Sequence, residues 1–358
     1  MNNQPVGCES NRNCKLKIGR NSGLIDYIPL KARVGRHCFY AGIKAILNHR
    51  GIEIREGEIF FLCDGLNYRY HASGVISPKD IFDFIKIDYR RQLETFGSNT
   101  GAGLTFDLAL GDLAPYIRNG RLVMAFLKES CLEHHVLENP NENLGGHGVV
   151  VNGIDLRKET VTFLDPYILT RDNQIKAMEC EMEIQRFQAG LISLCHLDTE
   201  GFSTEGFHRS KIAGEYCRRF IFEKSQGYDA LAKTMKNLEI LKEMEKQDRM
   251  RNIYAFILLL KAYFYTTVDY ICEFAGKMRS SARVNVTKGH IVRPYERTEE
   301  SKINAKKDIL KKHWEAVFLR MLSSSEYNSP SAVDKLVSDC GNIVGEQRDF
   351  VQFAWSLL

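Results

Sequence analysis

The chain has 358 residues, of which 44% are hydrophobic and 26% charged, and its formal net charge at pH 7 is +4. This composition is typical of a globular protein and excludes a disordered, collagen-like or coiled-coil chain, and so small a net charge gives no reason to expect nucleic-acid binding. The length suggests about two domains of roughly 150 residues each.

The first predicted helix begins at a cysteine. Residues 1–25 are rich in Asn, Gly and basic side chains and predict a flexible arm with no apolar export segment. Beyond this arm, apolar side chains recur at positions 39, 42, 43, 46 and 47, which is the spacing of an amphipathic helix, and Gly51 is a natural stop. Cys38 is therefore expected at the N-terminal end of this helix.

The following stretch predicts short elements of mixed type. Glu56–Cys63 has the pattern of a second helix, and Gly65–Tyr70 that of a loop or short strand. Ser77–Asp80 opens with an N-cap serine and a proline at the first helical position, which indicates a further helix. Asp107–Asn119 is predicted to be helical, and Arg121–Leu127 is a short apolar run that indicates a buried strand.

The clearest local pattern in the chain is a β-hairpin. Gly146–Ile154 is rich in β-branched residues, Asp155–Glu159 is a polar turn, and Thr160–Tyr167 is the return strand. Pro166 is expected to end that strand, because proline cannot donate a hydrogen bond to a sheet.

After about residue 200 glycine becomes rare and Lys/Glu-rich helical patterns dominate, at 209–248, 251–277, 299–323 and 331–356, with a loop predicted over 280–297. The longest apolar patch, Ile253–Tyr270, is interrupted by charges and is too short to span a bilayer, so we expect a buried helix and no membrane association. The predicted organisation is an arm over 1–25, a domain over 26–200 that holds the cysteine helix and the hairpin, and a helical domain over 201–358.

Three residues of this pattern could form a catalytic set. A thiol at a helix N-terminus is stabilised as the thiolate by the helix dipole and the free N–H groups, which favours Cys38 as a nucleophile. In the predicted hairpin register, His147 lies opposite residue 165, give or take one, so His147 and Asp165 share a face. A thiol nucleophile, an imidazole general base and an orienting carboxylate are the parts of a Cys–His–Asp site.

The other candidates are weaker. His37, Tyr68, Tyr70 and Gly146 are the candidate substrate-binding residues, although core or rim packing is the favoured interpretation of the two tyrosines. The doublet at 134–135 has no third ligand at a helpful spacing, so we expect neither a metal nor a cofactor. The ten cysteines are irregularly spaced without a Cys-x-x-Cys pair, which is typical of free, buried thiols in the cytoplasm.

The order of helix cysteine, strand histidine and strand-end aspartate resembles the papain-like clan of cysteine enzymes in its bacterial arrangement. Within that clan, His37-Cys38, the helix end at Leu47–Gly51, and Gly65-Leu66 followed by Tyr68-Arg69-Tyr70 are similar to the N-terminal domain of the butirosin biosynthesis protein H family. The resemblance covers about residues 30–170. In outline the chain is also similar to a papain-like amide synthase of closthioamide assembly.

The resemblance implies an α+β fold, with a papain-like core in which the N-terminal helix packs on an antiparallel sheet, followed by a mostly helical C-terminal region. It also implies a cysteine acyltransferase, which passes an acyl or peptidyl group from the phosphopantetheine thioester of a carrier protein through Cys38 to a small amine in natural-product biosynthesis. The net charge of +6 over 201–358 suits an acidic carrier.

Two alternatives stay open, namely a papain-like cysteine peptidase or amidase that uses the same residues, and a catalytically silent binding module. One departure separates the chain from the peptidases, which carry an oxyanion-binding Gln about six residues before the cysteine. That position is Ala32 here. Replacement donors could come from the backbone N–H of Cys38, from His37, or from Asn21.

Overall fold

The computed structural model describes residues 26–70, 85–86, 88–135, 146–169, 174–203, 209–224, 226–286, 295–327 and 330–356, and it has a mixed α+β fold. The strands are β1 (Asp26–Tyr27), β2 (Arg69–Tyr70), β3 (Ile85–Lys86), β4 (Gly103–Phe106), β5 (Val123–Leu127), β6 (His147–Asp155), β7 (Thr160–Leu169), β8 (Ile175–Glu183) and β9 (Leu191–Asp198). The helices are α1 (Cys38–His49), α2 (Glu56–Leu62), α3 (Tyr89–Thr100), α4 (Leu113–Arg118), α5 (Ile184–Gly190), α6 (Arg209–Phe222), α7 (Gly227–Asn237), α8 (Lys246–Leu260), α9 (Thr266–Val286), α10 (Tyr295–Tyr327) and α11 (Pro330–Ser356).

One antiparallel sheet carries the centre of the fold. Its strand order is β4-β9-β5-β6-β7-β8, and β1 pairs with the far end of β6. Every residue of β5 and β6 is buried, which explains the continuous apolar sequence of β5 and the unbroken valine run at 149–151 of β6. Strands β5 and β6 are therefore the most deeply enclosed part of the sheet.

Helix α1 lies across β6 and β7 at very close range. A methyl group at Gly148 of β6 would lie 3.6 Å from the backbone of Cys38 and 3.1 Å from Met124 of β5. A methyl group at Gly42 of α1 would lie 3.1 Å from the same Met124 side chain. Small residues on both surfaces thus bring the first turn of α1 against the start of β6.

The helical region after residue 200 packs directly onto the part that holds the sheet. Buried hydrophobic residues from both parts form one continuous cluster. Phe61 of α2 packs on Phe274 of α9 with ring centroids 4.4 Å apart, and Tyr270 of α9 donates a hydrogen bond to Glu56 at 3.2 Å. The described residues beyond 203 form helices and the segments between them, and the boundary near residue 200 stays a prediction.

Most of the predicted elements are confirmed. The first helix starts at Cys38, the second ends one residue before the predicted limit, and the strand at 121–127 is β5. The hairpin is present as β6 and β7. The predicted arm over 1–25 and the helix opening at Ser77 lie outside the described residues.

Several predicted boundaries are wrong, each for a local physical reason. Asp107 has a positive φ of 56°, so the helix predicted from there starts only with a short 3-10 turn at Leu110 and continues as α4. Pro166 lies within β7, at a register irregularity between Asp165 and Ile168, where a missing N–H costs no ladder bond. The strand therefore continues to Leu169.

In the helical region, the segment predicted as one helix over 209–248 is divided into α6, α7 and a 3-10 stretch. Gly227, with φ of 49°, starts α7 beside Phe220, where any side chain would collide with the Phe220 backbone. Helix α9 runs to Val286, so the predicted loop at 280–297 begins too early. None of the helices among the described residues has the length and apolar content needed to cross a membrane.

Candidate active site

The candidate nucleophile, Cys38, is the first residue of α1. His37 is the N-cap, and its Nδ1 accepts a hydrogen bond from the backbone N–H of Phe39 at 3.2 Å. The side chain of His37 satisfies one of the free N–H groups of the first turn and fixes where the helix starts. The Cys38 residue is only 7% exposed, so its thiol lies in a nearly closed environment.

Strand β6 places the imidazole of His147, its first residue, beside this thiol. Gly146 precedes His147 with φ of 81°, and a side chain there would collide with Ile192 and lie 3.1 Å from the carbonyl oxygen of Leu127. Glycine is needed at this position because the backbone is left-handed and enclosed. His147 is buried, and its side chain hydrogen-bonds that of Cys38.

The second nitrogen of His147 is bonded to Asp165. Nε2 of His147 lies 2.8 Å from Oδ1 of Asp165, which leaves Nδ1 for the thiol. The strand ladder pairs Val150 with Leu164, and the same register continued along β6 would place His147 opposite Tyr167 and diagonal to Asp165. The predicted direct opposition is therefore wrong by two residues, but the contact occurs because diagonal neighbours share the face of the sheet.

Asp165 is the centre of a larger polar cluster. Its Oδ2 accepts from Nε2 of both His134 and His135 at 2.8 Å, and its Oδ1 also accepts from the backbone N–H of Tyr167 at 3.0 Å. Four donors thus hold a carboxylate that has no exposed surface. Such a fully bonded carboxylate is fixed in position and stays ionised.

The electrostatics of the set favour a thiolate–imidazolium pair. Burial by itself would raise the pKa of the Cys38 thiol, but the positive charge of His147, together with hydrogen bonds from the rings of His147 and His37, lowers it to about 5. Burial would lower the pKa of His147, but Asp165 and Cys38 raise it well above its usual value. The charge of His147 and the histidine hydrogen bonds outweigh burial and hold the pKa of Asp165 well below its usual value.

His135 is electrically different from His147, although the two rings touch. Their centroids are 4.3 Å apart at 72°, so the rings meet edge to face. Burial and then the positive charge of His147 lower the pKa of His135 to about 4. His135 is therefore a neutral donor to Asp165 and leaves the positive charge on His147.

The expectation that the 134–135 doublet lacks a third ligand is wrong. His134, His135 and Asp165 present ligand atoms within 4.8 Å of one another, and so do Glu129, His135 and His147. These residue types could hold a divalent ion. The bonds described above are hydrogen bonds, and the prediction of a metal-free site stays a prediction.

The remaining candidates are distributed unevenly. His37 and Gly146 directly flank Cys38 and His147. Tyr68 is buried against the helical region, where its hydroxyl lies 2.8 Å from Oγ1 of Thr267, and these contacts favour the core-packing interpretation. Tyr70 lies in β2, paired with Ile85.

Sequence reasoning missed the partners of the aspartate. The histidine doublet was the available signal, but its distance from Asp165 depends on how the turn after β5 meets β7. Tyr167 was also missed, although its electrostatic interaction with Cys38, after burial, helps to raise the pKa of its hydroxyl. Cys38, His147 and Asp165, identified from sequence, are brought into one hydrogen-bonded row.

No protein-family model matches the chain, and no curated protein matches it either.

Proposed function

We propose that the protein is a papain-like cysteine acyltransferase that forms an amide, passing an acyl or peptidyl group from a carrier-protein thioester through Cys38 to a small amine. The observation that carries this proposal is the buried row of Cys38, His147 and Asp165, in which the pKa of the thiol is lowered to about 5. Such a pair is a nucleophile that is already ionised at neutral pH.

The first half of the reaction loads the enzyme. The Cys38 thiolate forms a bond to the thioester carbonyl carbon, and the bond from that carbon to the donor sulfur breaks. The departing thiolate takes the proton of the His147 imidazolium and leaves as a thiol. The products are an acyl-Cys38 thioester and a neutral His147, still bonded to Asp165.

The second half transfers the acyl group. The amine nitrogen attacks the acyl carbon while His147 accepts the proton that the nitrogen loses. The bond to Cys38 breaks, and the thiolate–imidazolium pair is restored as the amide leaves. Asp165 changes no covalent bond, and it orients His147 and stabilises the charged ring.

Two features support transfer to an amine over hydrolysis of a peptide. The three residues are at most 7% exposed, and an enclosed acyl-enzyme is protected from water. Ala32 supplies no side-chain donor where peptidases of this clan carry Gln, and it is exposed. A thioester carbonyl is more electrophilic than an amide carbonyl and depends less on that donor.

A basic groove next to α1 supports an anionic donor. The groove has a volume of about 170 Å³ and is lined by Lys31, Arg33 and Lys44, with Glu56 bonded to Lys44 at 3.4 Å. The phosphodiester of a phosphopantetheine arm has the complementary charge, and so has an acidic carrier protein facing the net charge of +6 over residues 201–358.

The test is an intact-mass measurement after mixing the protein with an acetyl thioester on an acyl carrier protein. We expect a gain of one acetyl group on Cys38, its discharge as an amide by a small primary amine, and slower loading at high salt. Cys38→Ala should gain no mass. Rapid cleavage of ordinary peptides, with no amide formed from any pair of thioester and amine, would identify an amidase or peptidase instead.

A further inference from the structure

The proposed reaction leaves one requirement unmet. When Cys38 attacks a carbonyl, the oxygen becomes negative, and enzymes of this kind stabilise it with at least two hydrogen-bond donors. The backbone N–H of Cys38, at the start of α1, is one. Ala32 offers no side-chain donor, and Asn21 lies outside the described residues. A second donor has to come from the immediate surroundings of the thiol.

His37 is bonded in a way that determines its protonation. A backbone N–H is always a donor, so the bond from Phe39 N–H means that Nδ1 of His37 carries a lone pair and no proton. The ring proton is then on Nε2, in the neutral tautomer. This assignment follows from the helix cap alone.

The ring of His37 is also held in place. It is 3% exposed and lies against Tyr40 and Tyr89, with centroid distances of 5.0 and 6.4 Å. The loop before it is tied to α2 and to α9, because the backbone N–H of Arg36 donates to Glu56 of α2 at 2.9 Å and the Arg36 side chain pairs with Glu273 of α9 at 2.9 Å. A donor fixed in this way needs no reorganisation during the reaction.

The two imidazoles beside Cys38 therefore have different tasks. His147 is bonded to the charge of Asp165 and can carry a proton on both nitrogens. Protonation of His37 at Nδ1 would turn two donors toward each other and break the cap of α1. His147 is thus suited to proton transfer, and His37 to constant donation through Nε2–H.

We propose that His37 is the second oxyanion donor, with its Nε2–H bonding the carbonyl oxygen that becomes negative as Cys38 attacks. The ring already reaches the Cys38 side chain. The oxygen is separated from the sulfur only by the attacked carbon, so the same N–H is close to it in the tetrahedral intermediate. This inference rests on the proposed function only in requiring that Cys38 attacks a carbonyl.

The decisive variant is His37→Asn. Asparagine is a good N-cap, and its side-chain oxygen can accept from Phe39 N–H, but the side chain is too short to replace Nε2–H. His37→Gln is the matched variant, because its longer amide can donate from near the Nε2 position while it caps poorly. Thermal unfolding should rank Asn near wild type and Gln below it.

Activity should rank the two variants in the opposite order. Acetylation of Cys38 by p-nitrophenyl acetate passes through an oxyanion, whereas alkylation by iodoacetamide does not. We expect His37→Asn to slow acetylation by about 10²–10³-fold. Alkylation, measured well above the pKa of the thiol, should change by only about threefold for a one-unit rise in that pKa. His37→Gln should recover part of the acetylation rate.

Three results would overturn the proposal. One is acetylation of His37→Asn at the wild-type rate, another is a parallel fall of acetylation and alkylation, and the third is a wild-type Cys38 that alkylates but is never acetylated. Failure of the proposed function has a different signature. There Cys38 is acetylated with the dependence on His37 expected here, but the acetyl group passes to water and never to an amine.

Discussion

Two buried cysteines at opposite ends of neighbouring helices show how this fold selects its nucleophile. Cys38 opens α1 and Cys63 caps the C-terminus of α2, and both are buried. Burial, and then the negative charge of Asp64, raise the pKa of Cys63 well above its usual value. Burial acts on Cys38 in the same direction, yet the pKa of Cys38 is lowered to about 5.

The difference teaches that burial does not decide the reactivity of a thiol, since it is common to both. The neighbours decide it: two imidazoles and free helix N–H groups at Cys38, a carboxylate and helix carbonyls at Cys63. Burial alone raises the pKa of Cys195 and Cys217 to about 12, and burial with Asp339 does so for Cys340. Cys38 thus differs from these four buried thiols because its neighbours lower its pKa.

The contrast between Cys38 and Cys63 has no functional meaning if a cysteine other than Cys38 is catalytic. Cys38→Ala should abolish consumption of acyl thioesters, because it removes the thiol that His147 holds as a thiolate, while the melting temperature stays close to that of wild type. Cys63→Ala should keep the activity but lose stability, since it empties a fully buried site. Turnover in Cys38→Ala, measured as free thiol released, would contradict the assignment.

Removing the charges around Cys38 should give the next largest effects. His147→Ala should slow turnover by about 10³–10⁴-fold, since it deletes the proton acceptor. Asp165→Asn should slow turnover by about 10²-fold, because the ring keeps a neutral partner but loses the charge that stabilises its proton. Both effects are measured as kcat/KM for a thioester.

Matched controls for these variants lie elsewhere in the same sheet. His196 is buried on β9 and bonded to the carbonyl of Leu122 at 3.0 Å, and Asp155 is buried at the other end of β6. His196→Gln and Asp155→Asn should leave kcat/KM unchanged. Equal losses in the controls would mean that the effects arise from the fold and not from the site.

The contrast between thiols can be measured without a substrate. At neutral pH a thiol of pKa about 12, such as Cys217, is ionised in about one molecule in 10⁵. A thiolate of such a high pKa is intrinsically about 10³-fold more nucleophilic than one of pKa about 5, which offsets part of this difference. Cys38 should therefore alkylate about 10²-fold faster than Cys217. The rate at Cys38 should rise with pH through about 5, because the thiolate forms as the proton is lost. Peptide mapping of iodoacetamide-labelled protein checks both. An inflection near 9 would contradict the ion pair.

The smallest effect on kcat/KM is expected for a substitution of His135, which is bonded to Asp165. His135→Ala removes a neutral donor from Oδ2 of Asp165, which still accepts from His134. A net hydrogen bond of about 0.5–1.5 kcal/mol corresponds to a two- to tenfold fall in kcat/KM. A fall as large as that of Asp165→Asn would show that His135 is itself a base.

Part of the site could be predicted from the sequence, because two of its features depend only on residues close together in the chain. The helix start at Cys38 follows from apolar spacing, and the His147–Asp165 contact follows from a five-residue turn that fixes the register within two residues. The histidine doublet could not be placed, because its approach to Asp165 depends on how separate strands stack. Tyr68 could not be assigned for the same reason, since Thr267 is 199 positions away.

The sequence by itself determined the mixed α+β class, the helix that presents Cys38, and the hairpin that carries His147 and Asp165, because periodicity and turns act over a few residues. Only the tertiary structure decided that His134 and His135 share the aspartate, that Pro166 sits at an irregularity inside β7, and that α9 packs on α2. These outcomes depend on contacts between residues far apart in the chain, whose energies come from burial and charge in the assembled fold and leave no local pattern.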